Sequence, residues 1–176
     1  VRALDRANGK EKWRHTWAGK MSVPFFAAKN GSWIRSTPAL ANGKLFVAGM
    51  RDHLLCIDIK TGKRLWEINF PKEQKTPIPS FGCVCSPMAD DKYVYMQAGA
   101  AFCKIEQDTG KMVWQSMKDK GGMYGSAFAS PVFATLGDKE QILVQSRTEL
   151  AGVDVDSGGI LWRQPGKAFR GMNILT

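Results

Sequence analysis

Four segments of this 176-residue sequence align on a tryptophan: Ala3-Leu-Asp5-Arg-Ala-Asn8-Gly9-Lys10-Glu-Lys-Trp13, Cys56-Ile-Asp58-Ile-Lys-Thr61-Gly62-Lys63-Arg-Leu-Trp66, Lys104-Ile-Glu106-Gln-Asp-Thr109-Gly110-Lys111-Met-Val-Trp114 and Gly152-Val-Asp154-Val-Asp-Ser157-Gly158-Gly159-Ile-Leu-Trp162. The tryptophans are 53, 48 and 48 residues apart. A second marker, Ser/Thr-Pro, recurs at Thr37-Pro38, Ser86-Pro87 and Ser130-Pro131, at intervals of 49 and 44. Two markers that keep step over three periods define a repeat architecture, in which each unit is one supersecondary element that buries its faces only against its neighbours.

Each unit reads as short strands separated by turn residues. After Thr37-Pro38 come Ala39-Leu40, the turn Asn42-Gly43, Leu45 to Ala48, the turn Arg51-Asp52, Leu54 to Ile59, the turn Thr61-Gly62, and Arg64 to Phe70. Gly supplies the positive φ that tight hairpins demand. The next unit repeats the plan with Tyr93 to Met96, Phe102 to Ile105 and Met112 to Ser116, and the one after with Gln141 to Gln145, Leu150 to Val155 and Ile160 to Arg163. No window carries helical apolar spacing, so the chain reads as all-β. Four-stranded units of this length are blades of a β-propeller. On that plan residues 1–16 are the end of one blade, 33–70, 83–118 and 127–165 are three full blades, and 171–176 begin another. The chain is then a partial propeller, and Thr176 falls where a further Ser/Thr-Pro should start. Trp13, Trp66, Trp114 and Trp162 are expected to be structural, docking in the seams between blades, where a large aromatic buries some 150 to 250 Å².

The pattern Ala-x-Asp-x-x-x-Gly-Lys-x-x-Trp resembles the PQQ-type, or quinoprotein-like, repeat with its tryptophan-docking motif, and no Trp is followed by Asp as a WD40 repeat would show. The resemblance runs over almost the whole chain, with Lys104 and Glu106 departing from it in the third copy and Gly152 and Gly159 in the fourth. It extends to the repeats of the lipoprotein subunit of the bacterial outer-membrane-protein assembly machine. It implies a periplasmic or secreted bacterial protein; Val1 to Asp5 carry no readable targeting pattern.

In a propeller the loops from the outer strand of one blade to the inner strand of the next crowd around one end of the channel. Here they are His15 to Arg35, Pro71 to Gly82, Lys118 to Ser126 and Gln164 to Asn173, and they hold the non-repetitive residues. Trp33, Arg35, Phe81, Tyr124, Arg170 and Asn173 are the candidate ligand-binding residues, because aromatics and arginines on loops of a rigid frame make binding faces. The alternative for Phe81, Phe128 and Phe169 is that they plug the inner seam.

Relatives that use pyrroloquinoline quinone hold it with Ca²⁺, an acidic base and often a disulfide between adjacent cysteines. Ca²⁺ takes 6 to 8 oxygen ligands. The loops offer Glu73 and Asp119, and Cys83 and Cys85 are not adjacent, so neither catalytic, cofactor nor metal residues are assigned in this stretch. Asp5, Asp58, Glu106 and Asp154, with Asp90, Asp91 and Asp138, read as turn residues. The four cysteines (Cys56, Cys83, Cys85, Cys103) read as small buried thiols. His53 is expected in a turn facing solvent, and Asp156-Ser157-Gly158-Gly159 is a hairpin of the repeat, not a nucleophile loop. Asn30-Gly-Ser32 is a formal glycosylation sequon. A net charge of +9 comes from lysines spread over turns, so nucleic acid is not an expected partner, and no apolar run is long enough for a transmembrane helix. Two readings follow: a non-catalytic scaffold binding proteins or extracellular ligands through channel-side loops, able to self-associate through open blade edges, or a fragment of a pyrroloquinoline quinone- and Ca²⁺-dependent alcohol or sugar dehydrogenase.

Overall fold

The computed structural model describes residues 1–24, 33–125 and 128–166. Among the described residues fourteen strands form four antiparallel sheets. The first pairs β1 (Arg2–Leu4) with β2 (Glu11–Arg14). The second is a meander of β3 (Ala39–Ala41), β4 (Lys44–Gly49), β5 (His53–Asp58) and β6 (Arg64–Asn69). The third repeats it with β7 (Met88–Ala89), β8 (Tyr93–Ala98), β9 (Ala101–Glu106) and β10 (Met112–Ser116). The fourth does so with β11 (Val132–Leu136), β12 (Lys139–Gln145), β13 (Glu149–Asp154) and β14 (Ile160–Pro165). These are the blades of an all-β partial propeller. The expected start of a further blade at 171–176 lies outside the described residues.

Each seam between sheets has its own apolar core, which is the repeat logic in physical form. Val47, Leu55 and Ile57 meet Trp13, Trp17 and Ile34 between the first two sheets. Phe46, Leu54, Cys56 and Trp66 face Val94, Met96, Cys103 and Ile105 between the second and third. Tyr95, Phe102 and Trp114 face Ile142, Val144 and Val153 between the third and fourth. The Ser/Thr-Pro marker links the same neighbours: Thr37 N–H donates to Ser86 Oγ (2.9 Å) and Ser86 N–H to Ser130 Oγ (3.0 Å).

The tryptophans reach across the seams into the last turn of the following sheet. Trp13 Nε1 donates to Ile59 O and Trp66 Nε1 to Gln107 O, both at 2.8 Å. Each indole lies flat on a turn glycine: a Cβ added to Gly62 would fall 2.6 Å from Trp13, one on Gly110 2.9 Å from Trp66, and one on Gly158 2.7 Å from Trp114. All three glycines have φ near +70°, so the turn geometry and the close approach of the ring select the same residue. Trp114 breaks the pattern in one respect. The acceptor matching Ile59 and Gln107 is Val155 O, and Lys104 Nζ takes it instead (2.9 Å), leaving the buried Trp114 Nε1 without a partner. Lys104 stands opposite Trp114 in the register, where the first and fourth sheets have Ala3 and Gly152, and its ammonium lies 4.0 Å from the centre of the Tyr93 ring.

The turn acids do what turn chemistry asks of them. Asp58 and Asp154 each accept from the backbone and hydroxyl of the residue three further on, Thr61 and Ser157. The Ser157 bonds hold the Asp154 carboxyl down at about 2.

One element departs from the strand reading. Phe70, expected at the end of a strand, opens α1 (Phe70–Gln74), a single helical turn inside the loop that follows β6. Asn69 caps it, accepting from Lys72 N (3.1 Å), while Glu73 Oε1 accepts from Asn69 N (2.9 Å). This reciprocal cap with Pro71 in the first turn is a helix-start signal. Five residues are too few for a period to show. His53 is also not solvent-facing: it opens β5 half-buried, its Nδ1 3.2 Å from Glu67 Oε1.

Candidate functional site

In an antiparallel meander every second connection lies at the same end of the sheet. The turns joining the second and third strands (50–52, 99–100, 146–148) therefore share a face with the long loops between sheets. A cleft of about 750 Å³ opens there, between the third and fourth sheets. The loop after β10 contributes Lys118, Asp119, Lys120 and Tyr124, the last carried by a short 3₁₀ turn at Gly122–Tyr124. The β12–β13 turn contributes Arg147 and Thr148, and Glu149 and Arg163 close the far wall.

Charged and hydroxyl side chains line the cleft together with the apolar surfaces of Met117 and Tyr124. Arg163 Nη1 donates to both oxygens of Glu149, at 2.7 and 3.0 Å, and the two charges neutralise each other. The Arg147 guanidinium lies 4.9 Å from the centre of the Tyr124 ring, within cation–π range. Asp119 Oδ1 accepts from Gly121 N (2.7 Å), and Asp119 N donates to Ala100 O (2.8 Å), which ties the loop to the neighbouring turn. Tyr124 is 58% exposed despite its neighbours.

The other expected residues fall elsewhere. Trp33, 70% exposed, lines a second cleft of about 520 Å³ with Trp17, Ile34 and Met50, at the seam of the first two sheets. Arg35 Nη1 donates to Phe81 O (3.4 Å), and the Phe81 ring packs 5.9 Å from Phe128, so these residues bind one another across the loops. Arg170, Asn173 and Phe169 lie outside the described residues, as does the sequon at Asn30. Of the described candidates, Trp33, Arg35 and Phe81 do not line the cleft beside Tyr124. Its neighbours Arg147, Glu149 and Arg163 carry no loop signal in the sequence, because they sit on the β12–β13 turn and on strands of the fourth sheet.

Asp52 likewise sits in a turn inside a sheet. It ends the β4–β5 turn at φ +60° and is only 1% exposed. Its Oδ2 accepts from Gly99 N of the next sheet (2.8 Å), while Oδ1 has no hydrogen-bond partner. Burial pushes this carboxyl up to about 7, and the Asp119 charge adds to the effect, against the opposing pull of the Gly99 amide and the Cys83 thiol. The nearby Cys83 thiol is directed at Gln97 O (3.9 Å). A void of about 10 Å³ beside Asp52 and Asp119 is the size of one water.

A family model described as outer membrane protein assembly factor BamB matches residues 1–175. The chain belongs to that family. Among solved structures it superposes on BamB from Moraxella catarrhalis with a TM-score of 0.51, at 14% identity, over 74% of this chain and 36% of that one. A quinohemoprotein alcohol dehydrogenase from Pseudomonas putida HK5 gives 0.55 at 14% identity, over 83% of this chain and 21% of that one. Such low identities establish the propeller fold alone. Among curated proteins, the 1-butanol dehydrogenase (cytochrome c) of Thauera butanivorans is 37% identical over 71 residues, 39% of this chain and 10% of its own length. The match therefore spans about a tenth of that relative, 36% of the BamB structure and 21% of the dehydrogenase structure.

The quinone and Ca²⁺ of the dehydrogenase branch can be tested against the donors present. Cys83 and Cys85 are fully buried inside the seam of the second and third sheets, away from the cleft, and burial raises both thiols, Cys85 to about 12. Glu73 is committed to the α1 cap, and among the described residues no group of three or more His, Cys, Asp or Glu side chains is gathered. The described donor set does not fit Ca²⁺-bound quinone. Among the described residues no helix is long and apolar enough to cross a membrane.

Proposed function

We propose that this stretch of the BamB family is a non-catalytic propeller scaffold that binds protein or extracellular ligands through its channel-side loops, in the periplasm or outside the cell. The observation that carries this reading is the cleft between the third and fourth sheets. It lies on the face where the connections converge, with the loop after β10 and the β12–β13 turn forming most of its walls and Glu149 of β13 and Arg163 of β14 closing the rest. The division into blades at 1–16, 33–70, 83–118, 127–165 and 171–176 belongs to the same proposal, with further blades or protein partners as the natural neighbours of its open ends.

One observation favours the second reading, a fragment of a pyrroloquinoline quinone-dependent dehydrogenase: the 37% identity with 1-butanol dehydrogenase over 71 residues. The two are separated by adding pyrroloquinoline quinone and Ca²⁺ to the purified chain, and to its complete gene product where that is longer. The scaffold reading expects no quinone absorbance retained on the protein and no dye-linked oxidation of butanol or glucose. Turnover above the cofactor-only control would replace it with the dehydrogenase.

A further inference from the structure

We infer that Asp52 and Asp119 form a carboxylate pair that shares one proton across a water-sized void, and that loss of this proton releases the loop 119–125, one wall of the cleft described above. This holds whatever the cleft binds. The void of about 10 Å³ lies where the second and third sheets meet, and Asp52, Pro77, Gln97, Ala100, Asp119 and Gly121 are among its walls. It has the size of a single water, which needs two to four polar partners. Asp52 Oδ2 takes the Gly99 amide (2.8 Å), while the buried Oδ1 has no hydrogen-bond partner. Asp119 lines the same void, with Oδ1 accepting from Gly121 N (2.7 Å) and its own N–H donating to Ala100 O (2.8 Å). The turn at Gly99 and Ala100 therefore holds one acid through each of its two residues.

Two carboxylates on one closed void cannot both be charged without cost, because each ionised group disfavours the other. The groups packed around them supply no counter-charge inside. The Cys83 thiol, from the segment before β7, is directed at Gln97 O (3.9 Å), His53 is turned to Glu67, and Arg51, Lys118 and Lys120 are exposed. The α1 turn meets Gly99 with Phe70 and Gln74, and Pro77 and Pro79 carry no charge. One proton for two acids is the state that fits. Burial places it on Asp52, whose carboxyl is pushed up to about 7, and leaves the half-buried Asp119 charged and accepting through the void.

Loss of that proton acts on the loop. Asp52 is fixed inside the seam, so the repulsion is relieved by Asp119 turning out to solvent, at the expense of its bond to Gly121 N. Gly121 packs closely enough on Pro77 and Ala100 that an added Cβ would fall 2.9 and 3.2 Å from them, so the outward turn breaks that contact as well. The surrounding backbone is already poised: Asp52, Ala100 and Met117 are non-glycine residues at φ +60°, +54° and +48°, conformations that persist only while their contacts over-determine them.

The test is amide hydrogen exchange of the whole chain at pH 6 and pH 8, corrected for intrinsic rates, with a carboxyl-carbon NMR titration of the same protein. Protection of the Asp119 and Gly121 amides should fall about tenfold over that range while the amides of β4 and β8 keep theirs, which separates release of the loop from weakening of the whole fold. Asp52→Asn and Asp119→Asn each remove one of the two charges, so both should keep the loop protected at pH 8. In Asp119→Asn the Asp52 carboxyl should titrate about half a pH unit or more below its wild-type midpoint. Wild-type loop protection that ignores pH overturns the inference, as does a fall shared equally by β4 and β8, or the same fall in Asp52→Asn. Should Asp52→Asn fail to fold, Asp119→Asn, at a half-buried position, decides alone: an unmoved Asp52 midpoint means that the two acids are not paired.

Discussion

At the scale of single residues, the seam tryptophans and the cleft tyrosine make opposite predictions. Trp66 packs on Gly110, lies 5.9 Å from the Phe46 ring and donates to Gln107 O, so Trp66→Ala removes a core side chain and a cross-seam bond together. A loss of about 3 to 5 kcal/mol in urea denaturation is expected. Tyr124→Ala, at an exposed position with one cation–π partner, should cost less than about 1 kcal/mol. Comparable losses for the two would undo the division between seam and cleft. Asp52 makes a prediction in pH. Its folded-state pKa of about 7 stands above the ordinary 3.8, so between those values the folded chain holds a proton that the unfolded chain has released. Its contribution to stability is therefore complete below pH 4 and is lost as pH rises towards 7, with a slope of at most about 1.4 kcal/mol per pH unit for one proton. Asp52→Asn keeps an acceptor for Gly99 N–H and tolerates the left-handed backbone. Its stability relative to wild type should climb between pH 4 and pH 7 and level off above that. A constant difference between the two profiles would show that Asp52 does not titrate in that window.

At the scale of elements, the strands bounded by Gly turns could be read directly, because alternating apolar runs and Asn-Gly or Thr-Gly pairs carry their own physics. The inner strands were legible only at Ala39-Leu40, where an Asn-Gly turn follows. β7 has two residues, Met88–Ala89, too short for any alternation, and it exists because the meander supplies its partner, β8. α1 was hidden for a similar reason, its only signal being the Asn69 and Glu73 cap. Lys104 shows what a departure from the repeat does to an element. Its ammonium occupies Val155 O, the acceptor that the indole of the same seam would otherwise have. Lys104→Ala restores the residue type found opposite Trp13, so Trp114 Nε1–H should turn to Val155 O as Trp13 and Trp66 do to their acceptors. The gained bond, net about 1 kcal/mol, offsets part of the packing lost with the lysine stem. The check is the indole N–H resonance of Trp114, which moves downfield if the bond forms; an unmoved resonance counts against the account.

At the scale of the whole molecule, the period was legible and the site only half so. Reading loops between sheets found Tyr124, whereas Arg147, Glu149 and Asp52 sit on or beside turns inside sheets and reach the same face only through the up-and-down path of the meander. The register also shows which faces the described sheets leave open. In the second sheet Ala39, Phe46, Cys56 and Trp66 are matched across the strands, and that face is closed by the third sheet. The equivalent line in the fourth sheet is Val132, Leu143, Gly152 and Trp162. There Val132 is exposed, Leu143 and Trp162 are half-buried, and Trp162 Nε1 bonds Gln141 Oε1 of its own sheet (2.6 Å) instead of a following turn. Leu136, on the same side of β11 as Val132, is exposed as well. An apolar sheet face of this kind draws a second one. The 176-residue chain should therefore associate with rising concentration in sedimentation velocity. Val132→Lys with Leu136→Lys, both at exposed positions, should return it to monomer while leaving the melting temperature within a few degrees. A chain that stays monomeric across the micromolar range would mean that this face does not behave as an open seam.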